Sequence, residues 1–286
     1  MEEQQLQVCK SNALVEASFR LSIYEQRIIL AAIAQIRRDQ PLTDQHLYRV
    51  TAKQIADLSD TQIEGTYVLM KDAVERLFER RVQLHRKPNG GPPRVLQTRW
   101  VPAVEYIEQE GAVGLQFATR MLPYLVQLSE HFTRYALADV GRMTSGYAIR
   151  FYELVVQWRG TEKHGKGERL IEIEWLREAL QLEGKFKPIG DLKRWVIEPS
   201  IKQINKHTPL KAEWEQRKTG RKITHILLKW HEKPKPKSAK EKPKTNSPKK
   251  GDSLYGIPIA TIEAKARPGE SYEEAAIRLL QEAQKK

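Results

Sequence analysis

The chain alternates stretches in which apolar residues recur every three or four positions with shorter stretches in which they recur at every second one. These two periods mark amphipathic helices and half-buried strands. The first signal is Ser22-Ile-Tyr-Glu25, a capping box in which serine and a glutamate three residues on cap each other's free backbone N–H. Behind it Ile23, Leu30, Ala31 and Ala34 predict a helix to about Arg38. A short strand over 47–50 follows. Thr51-Ala-Lys-Gln54 then caps a second helix to about Leu58, and Tyr67, Met70, Val74 and Leu77 predict a third over 66–81. Residues 82–85 and 95–104 read as strands around the turn Lys87-Pro-Asn-Gly-Gly-Pro-Pro93, with a further strand near 113–117 beside them. Leu14, Leu21 and Ile28 fall seven apart, but the cap at Ser22 interrupts any continuous coiled coil, so core packing accounts for them better.

The same order returns. Residues 145–158 form an apolar helix, 170–173 a short strand, 175–182 a short helix and 191–207 a longer one. Strands over 210–215 and 222–230 then flank Gln216-Arg-Lys-Thr-Gly-Arg221. Helix, strand, helix, helix, hairpin is the winged-helix order, an elaborated helix-turn-helix. The fold class is α+β. The expected division is an N-terminal winged helix over 1–140, a C-terminal one over 141–232, a linker over 233–251 and a tail over 252–286. Residues 233–250, KPKPKSAKEKPKTNSPKK, have no apolar residue larger than alanine and predict a disordered basic linker. Beyond it Ser271-Tyr-Glu-Glu274 caps a short amphipathic helix carrying Ala275, Ala276, Leu279 and Leu280, too short to stand without a partner surface.

Charge sharpens this picture. The net charge is +13, and residues 185–230 hold twelve basic against four acidic residues. That stretch carries the positive excess of the folded part, which points to a polyanion. A lysine-rich solvated surface is the competing reading. The one cysteine, Cys9, makes no internal disulfide and fits a reducing cytoplasm. The longest apolar run, 28–34, is far short of the roughly 18 residues of a membrane span. The first residues show no basic segment followed by an apolar one, so no secretory signal is read.

On a helical wheel, Leu192, Val196, Ile197, Ser200, Ile201 and Ile204 share one face of the 191–207 helix, and Asp191, Arg194, Trp195, Glu198, Lys202, Asn205 and Lys206 the other. The second face carries what a major groove requires: cationic donors for guanine O6 and N7, a carboxylate for cytosine N4, and an aromatic ring for a thymine methyl or a sugar. Pro199 inside this helix predicts a kink near Glu198. Arg217, Lys218, Arg221 and Lys222 on the following turn suit phosphates or a minor groove. The first copy offers a diluted equivalent: Lys71, Arg76, Arg80 and Arg81 on its third helix, and Arg86, Lys87 and Arg94 around its wing, among Asp72, Glu75 and Glu79. For each of these an ordinary ion-paired surface is an equal reading.

Catalytic patterns are missing. Gly160-Thr-Glu-Lys-His-Gly-Lys-Gly167 lacks the hydroxyl residue of a phosphate-binding loop and follows a helix rather than a strand. No two of the seven histidines lie two or four apart, and no serine sits in a nucleophile elbow, so neither a metal site, a catalytic residue nor a cofactor is expected. A nuclease with an unrecognised carboxylate site is the rival from the enzyme class.

Ser11-Asn-Ala-Leu14, Glu16-Ala, Leu21-Ser, Glu25-Gln-Arg27, Ser145-Gly-Tyr-Ala-Ile-Arg-Phe-Tyr-Glu153, Asp191-Leu-Lys-Arg194, Ile204-Asn205, Thr208-Pro209, Lys218-Thr-Gly-Arg221 and Thr224-His-Ile226 occur in this order. The combination resembles the plasmid replication initiators of the Rep_3 type. The resemblance spans most of 1–232 and leaves out the linker and tail. It implies binding of double-stranded DNA, as a monomer on repeated origin sites (iterons) and as a dimer on an operator inverted repeat, where such proteins repress their own synthesis. It also implies origin opening and recruitment of a host initiator and replicative helicase, in the bacterial cytoplasm. It places basic residues of the iteron-reading helix on Lys193 and Arg194. Trp195 stands where some relatives carry arginine, a departure that bears on base preference and not on docking. The first copy is expected to contact phosphates in the monomer and to supply the dimer surface. A dimeric transcriptional repressor without a replication role is the alternative.

Overall fold

A computed structural model of the chain describes residues 6–37, 43–126, 128, 130–162, 165–234, 253–258, 261–262, 265 and 272–284. Residues 1–233 form one compact unit and residues 234–286 another.

In the first unit, β1 (Gln7–Ser11) leads into the single turn α1 (Asn12–Val15). Helix α2 (Ile23–Ala34) starts at the expected capping box: Glu25 N–H donates to Ser22 Oγ at 3.3 Å, and Ser22 N–H to Glu25 Oε2 at 2.8 Å. It ends at Ala34, short of Arg38, where the Gln35 side-chain amide donates to the Arg49 carbonyl and ties the helix end to the next strand. Strand β2 (Tyr48–Thr51), α3 (Ala52–Ser59) and α4 (Thr66–Glu79) follow, α3 with its own Thr51–Gln54 capping box. Then come β3 (Arg81–Leu84), β4 (Leu96–Arg99), β5 (Ala103–Ile107) and β6 (Ala112–Gln116). Strand β6 lies antiparallel between β2 and β5, while β3 and β4 pair with each other in a separate two-stranded sheet.

This pairing corrects the expected wing. The strands around residues 87–93 are a hairpin inserted between the third helix and the wing; the wing itself is β5–β6, turning through Glu108–Glu110 and Gly111 at φ 56°. The single strand expected over 95–104 breaks because Trp100 turns inward, 1% exposed, with its ring edge-on to Phe19 at 5.0 Å. Strand β7 (Phe132–Ala136) returns to pair with β1, and α5 (Ala138–Gly141) and α6 (Gly146–Val156) follow.

The second half comprises β8 (Lys166–Glu172), α7 (Ile173–Ala179), α8 (Ile189–Leu192), a π-helical turn over Lys193–Ile197, α9 (Glu198–His207), β9 (Leu210–Thr219) and β10 (Lys222–Glu232). Strand β10 lies between β8 and β9, the same arrangement as β2-β6-β5. Both halves are therefore winged helices.

Their core is continuous. Helix α6 packs on both β7 and α9. Arg150 of α6 is 2% exposed, donates to the Ala17 carbonyl at 2.7 Å and lies 3.6 Å from the Phe19 ring centre. Burial pushes its guanidinium down to about 10, so it stays charged at neutral pH. One helical turn on, Glu153 pairs with buried Lys10 at 2.5 Å and accepts from Tyr135 Oη at 2.5 Å. Leu14, Leu21 and Ile28 are all buried, as core packing requires.

In the second unit, β11 (Ser253–Leu254) and β12 (Ile257–Pro258) form a short hairpin, and a helix spans Tyr272–Gln284. Its Ala275 and Ala276 are buried with Ile262, and Ile257 and Leu279 pack alongside. Of the apolar face expected to need a partner surface, Ala275, Ala276 and part of Leu279 are covered from within the same unit. The expected cap residue Ser271 and most of the expected linker (235–251) lie outside the described residues.

Candidate nucleic-acid interface

The long helix of the second half is one right-handed rod assembled from α8, the π turn and α9. Leu192, Val196, Ile197, Ser200 and Ile204 are fully buried and Ile201 nearly so, which matches the apolar face of the wheel. The proline is accommodated without a break. Backbone dihedrals stay right-handed helical through Leu192, Lys193, Ile197 and Glu198, and wider hydrogen bonding over Lys193–Ile197 lets Pro199 sit near the start of α9. There a missing N–H costs little. The expected kink is thus a π turn placed on the N-terminal side of Glu198.

The opposite face presents Arg194, Trp195, Glu198, Lys202 and Lys206 to solvent. Trp195 is 56% exposed, and the Arg194 guanidinium lies 5.0 Å from its ring centre. A large exposed indole with a stacked cation is costly to leave bare and well suited to sugars and base edges. Two residues expected to meet DNA, Asn205 from the wheel and Lys193 from the resemblance, are not free. Asn205 is turned to the sheet, donating from Nδ2 to the Ala212 carbonyl at 2.8 Å and accepting from the Ala212 N–H at 2.6 Å. Lys193 is half-buried, donates to Gln216 Oε1 at 2.6 Å and lies 5.9 Å from the Trp214 ring centre. Its contacts lock the rod to β9, and its charge lies between helix and wing.

The wing is longer than the sequence suggests. Cross-strand pairing runs up to Thr219 and Lys222, so the turn shrinks to Gly220 and Arg221, with Gly220 at φ 61°. Arg217 and Lys218 therefore stand on β9 rather than on a turn. Arg217 pairs with Glu215 at 2.8 Å, and Glu215 also accepts from Lys229, which together hold the Glu215 carboxyl below the usual range. Lys218, Arg221 and Lys222 are exposed at the finger's end.

Sequence reasoning missed the loop that aims the rod. Arg177 of α7 donates to the backbone carbonyls of Lys185, Phe186 and Lys187 at 3.3, 2.9 and 3.1 Å. Phe186 adopts a left-handed backbone at φ 49°. Lys185 and Lys187 thereby line an open groove of about 700 Å³ opposite Arg221 and Lys222. The excess of lysines in 185–230 was the available signal; the clamp by Arg177 has none in one dimension.

The first half corrects several expectations. Arg80 makes a two-pronged pair with Glu25, Nε to Oε2 and Nη2 to Oε1 at 3.1 Å each, and Arg76 adds a bond at 3.2 Å. Glu25 is fully buried and also caps α2, so these arginines fasten α4 to α2. Lys71 is bound by Glu108 of the wing at 2.8 Å, which raises the lysine's pKa and lowers the glutamate's. Arg81, Arg86 and Lys87 are exposed, Arg81 at the start of β3 and the other two on the loop of the β3–β4 hairpin, not on a wing. The wing tip instead carries Glu108 and Glu110.

Among the described residues no group of three His, Cys, Asp or Glu side chains is placed to hold a metal ion, and no helix is long and apolar enough to cross a membrane.

Comparison with known proteins converges on the same two halves. The Rep3 family description "Initiator Replication protein, WH1" matches residues 7–156, and "Initiator Rep protein, WH2" matches residues 172–230. A replication initiation protein of Escherichia coli is 25% identical over 215 residues, covering 74% of this chain and 66% of its own length. The PI protein of Escherichia coli is 23% identical over 246 residues, covering 77% and 80% respectively. The crystal structure of the Pi initiator protein with iteron DNA superimposes with a TM-score of 0.66 at 19% identity, over 82% of this chain and all of that one. With both winged helices matched in order and over most of its length, the chain belongs to the Rep3 family of replication initiator proteins.

Proposed function

We propose that this chain initiates plasmid replication by binding iterons at the origin as a monomer. The α8–α9 rod enters the major groove, and the β9–β10 wing lies on the adjoining backbone. Arg194, Glu198, Lys202 and Trp195 meet base edges and sugar. Lys206, Arg217, Lys218, Arg221 and Lys222 meet phosphates, with Lys193 adding its charge from between the two elements. The first winged helix contributes phosphate contacts, through Arg81, Arg86 and Lys87, and the surface for a dimer that binds an operator inverted repeat and represses the chain's own synthesis. Several bound copies promote origin opening and recruit the host initiator and replicative helicase in the bacterial cytoplasm. The work is binding and deformation of DNA, with no bond chemistry.

The observation that carries this reading is the solvent face of the rod, cationic and aromatic beside a cation-tipped finger, in the half that matches the family's second winged helix. The relative solved with iteron DNA supports the choice of ligand. Gel-shift titration of the full chain against repeats from its own origin and against scrambled duplex tests it. The expected preference is roughly a thousandfold or more; equal affinities overturn the reading. A plasmid bearing those repeats should replicate only when the chain is supplied, which separates an initiator from a plain repressor.

A further inference from the structure

In a winged helix, DNA is ordinarily met by the third helix and the wing. The first half is built against that use. The exposed positions of α4 carry Val68 and Leu69 followed by Asp72, Glu75 and Glu79, and the wing offers Glu105, Glu108 and Glu110. The cations there are engaged, Lys71 by Glu108 and Arg76 and Arg80 by Glu25. Glu79, Glu108 and Glu110 are paired in turn by Arg99, Lys71 and Arg49, so this face carries paired charge and offers a polyanion few free cations.

A cluster of uncommitted positive charge lies on the loop of the inserted hairpin and the loop after β6. Lys87, Arg94 and Arg120 line an open cleft of about 410 Å³ with Pro88, Pro123 and Tyr124, and no carboxylate lines it. The cleft is held from below. Tyr124 is 1% exposed; its hydroxyl accepts from Arg94 Nη2 at 3.0 Å and donates to the Arg86 carbonyl at 3.0 Å, fixing both ends of the hairpin loop. Lys87 and Arg120 are exposed and make no ion pair among the described residues. The hairpin is also continuous with the reading half. His85 at its base accepts or donates with Ser18 Oγ at 3.0 Å and stands 3.8 Å from Glu178 of α7. Glu178 in turn lines the groove that ends at Arg221 and Lys222 of the wing.

We propose that this cleft is a phosphodiester site. Lys87, Arg94 and Arg120 clasp the backbone of the duplex whose bases the second half reads, while α4 and the first wing stay off the DNA. The proposal rests on the DNA-binding reading above and locates the first half's contact on the loop of the inserted hairpin and the loop after β6, adding Arg94 and Arg120 to it.

The test uses the full chain and fluorescence anisotropy on iteron and scrambled duplexes between 50 and 200 mM salt. Each phosphate contact contributes about −0.9 to the slope of log affinity against log salt. The double variant K87E/R120E should therefore show a slope less negative by about 1.8 and an affinity lower by roughly tenfold or more on both duplexes, with their ratio unchanged. K87Q/R120Q, which retains polar side chains of similar reach, should show the same slope change should the glutamates impair folding. K53E/K71E, of equal charge change on the α3–α4 side, should leave the slope as in the parent. An unchanged slope in both hairpin variants, or a larger change in K53E/K71E, overturns the proposal while leaving site preference in the parent chain intact. Absence of that preference in the parent instead brings down the functional reading. Titration with inorganic phosphate at matched ionic strength should show no saturable binding. Saturation that K87Q/R120Q abolishes, with the DNA slope unmoved, would make this a small-anion pocket and overturn the assignment.

Discussion

Asn205 shows how far a helical wheel reaches. By angle it belongs with the residues expected to face DNA, and by chemistry an asparagine is a good partner for adenine. In the fold both polar atoms of its side chain are taken by the backbone of Ala212, a residue with no exposure. Replacing Asn205 with alanine strands that buried N–H and carbonyl. The expected cost is about 2–4 kcal/mol in urea unfolding, with the ratio of cognate to scrambled affinity unchanged; a variant that stays stable and loses preference would make Asn205 a base reader. Glu25 teaches a related point. A capping-box glutamate is legible in sequence, but its second service, gathering Arg76 and Arg80 from α4, is a contact across more than fifty residues. Those arginines look available along the chain because nothing local reveals the carboxylate beneath them.

At the scale of elements, local signals located the helices and strands well wherever they were self-sufficient. The capping boxes at Ser22 and Thr51 formed as read, and the core side of the 191–207 helix is buried residue for residue. What the pattern missed depended on partners distant in sequence. The inserted hairpin looks like a wing because any two strands around a proline- and glycine-rich turn do; the pairing of β6 with β2 and β5 decides otherwise. The reading wing outgrew its turn because a polar strand such as Gln216 to Thr219 carries no apolar alternation, yet pairs with β10. Pro199 belongs here too. A proline within a regular helix costs ~3 kcal/mol, but a π turn directly before it relieves that cost. Pro199→Ala should accordingly change unfolding free energy by less than about 1 kcal/mol. A gain near 3 kcal/mol would show that the proline strains the rod.

At the scale of the whole molecule, the two winged helices share a strand order and one core but differ in charge. The second presents cations and an indole; the first presents acids and apolar side chains on the equivalent elements, with a cluster of unpaired cations around the insertion. Net charge singled out the second half from sequence alone, since residues 185–230 hold the excess. The asymmetry within the first half was hidden, because basic and acidic residues alternate along α4 and separate only when Glu25 and Glu108 have chosen their partners. The central claim is that the outward face of the α8–α9 rod selects the site. It is tested most directly by the double variant R194A/K202A in the full chain, with affinities for origin repeats and scrambled duplex measured side by side. Both side chains are solvent-exposed, so folding should persist. Loss of two base-edge contacts at about 1–3 kcal/mol each should lower cognate affinity by roughly thirtyfold or more and pull it toward the scrambled value. Cognate affinity and selectivity equal to those of the parent would contradict the account.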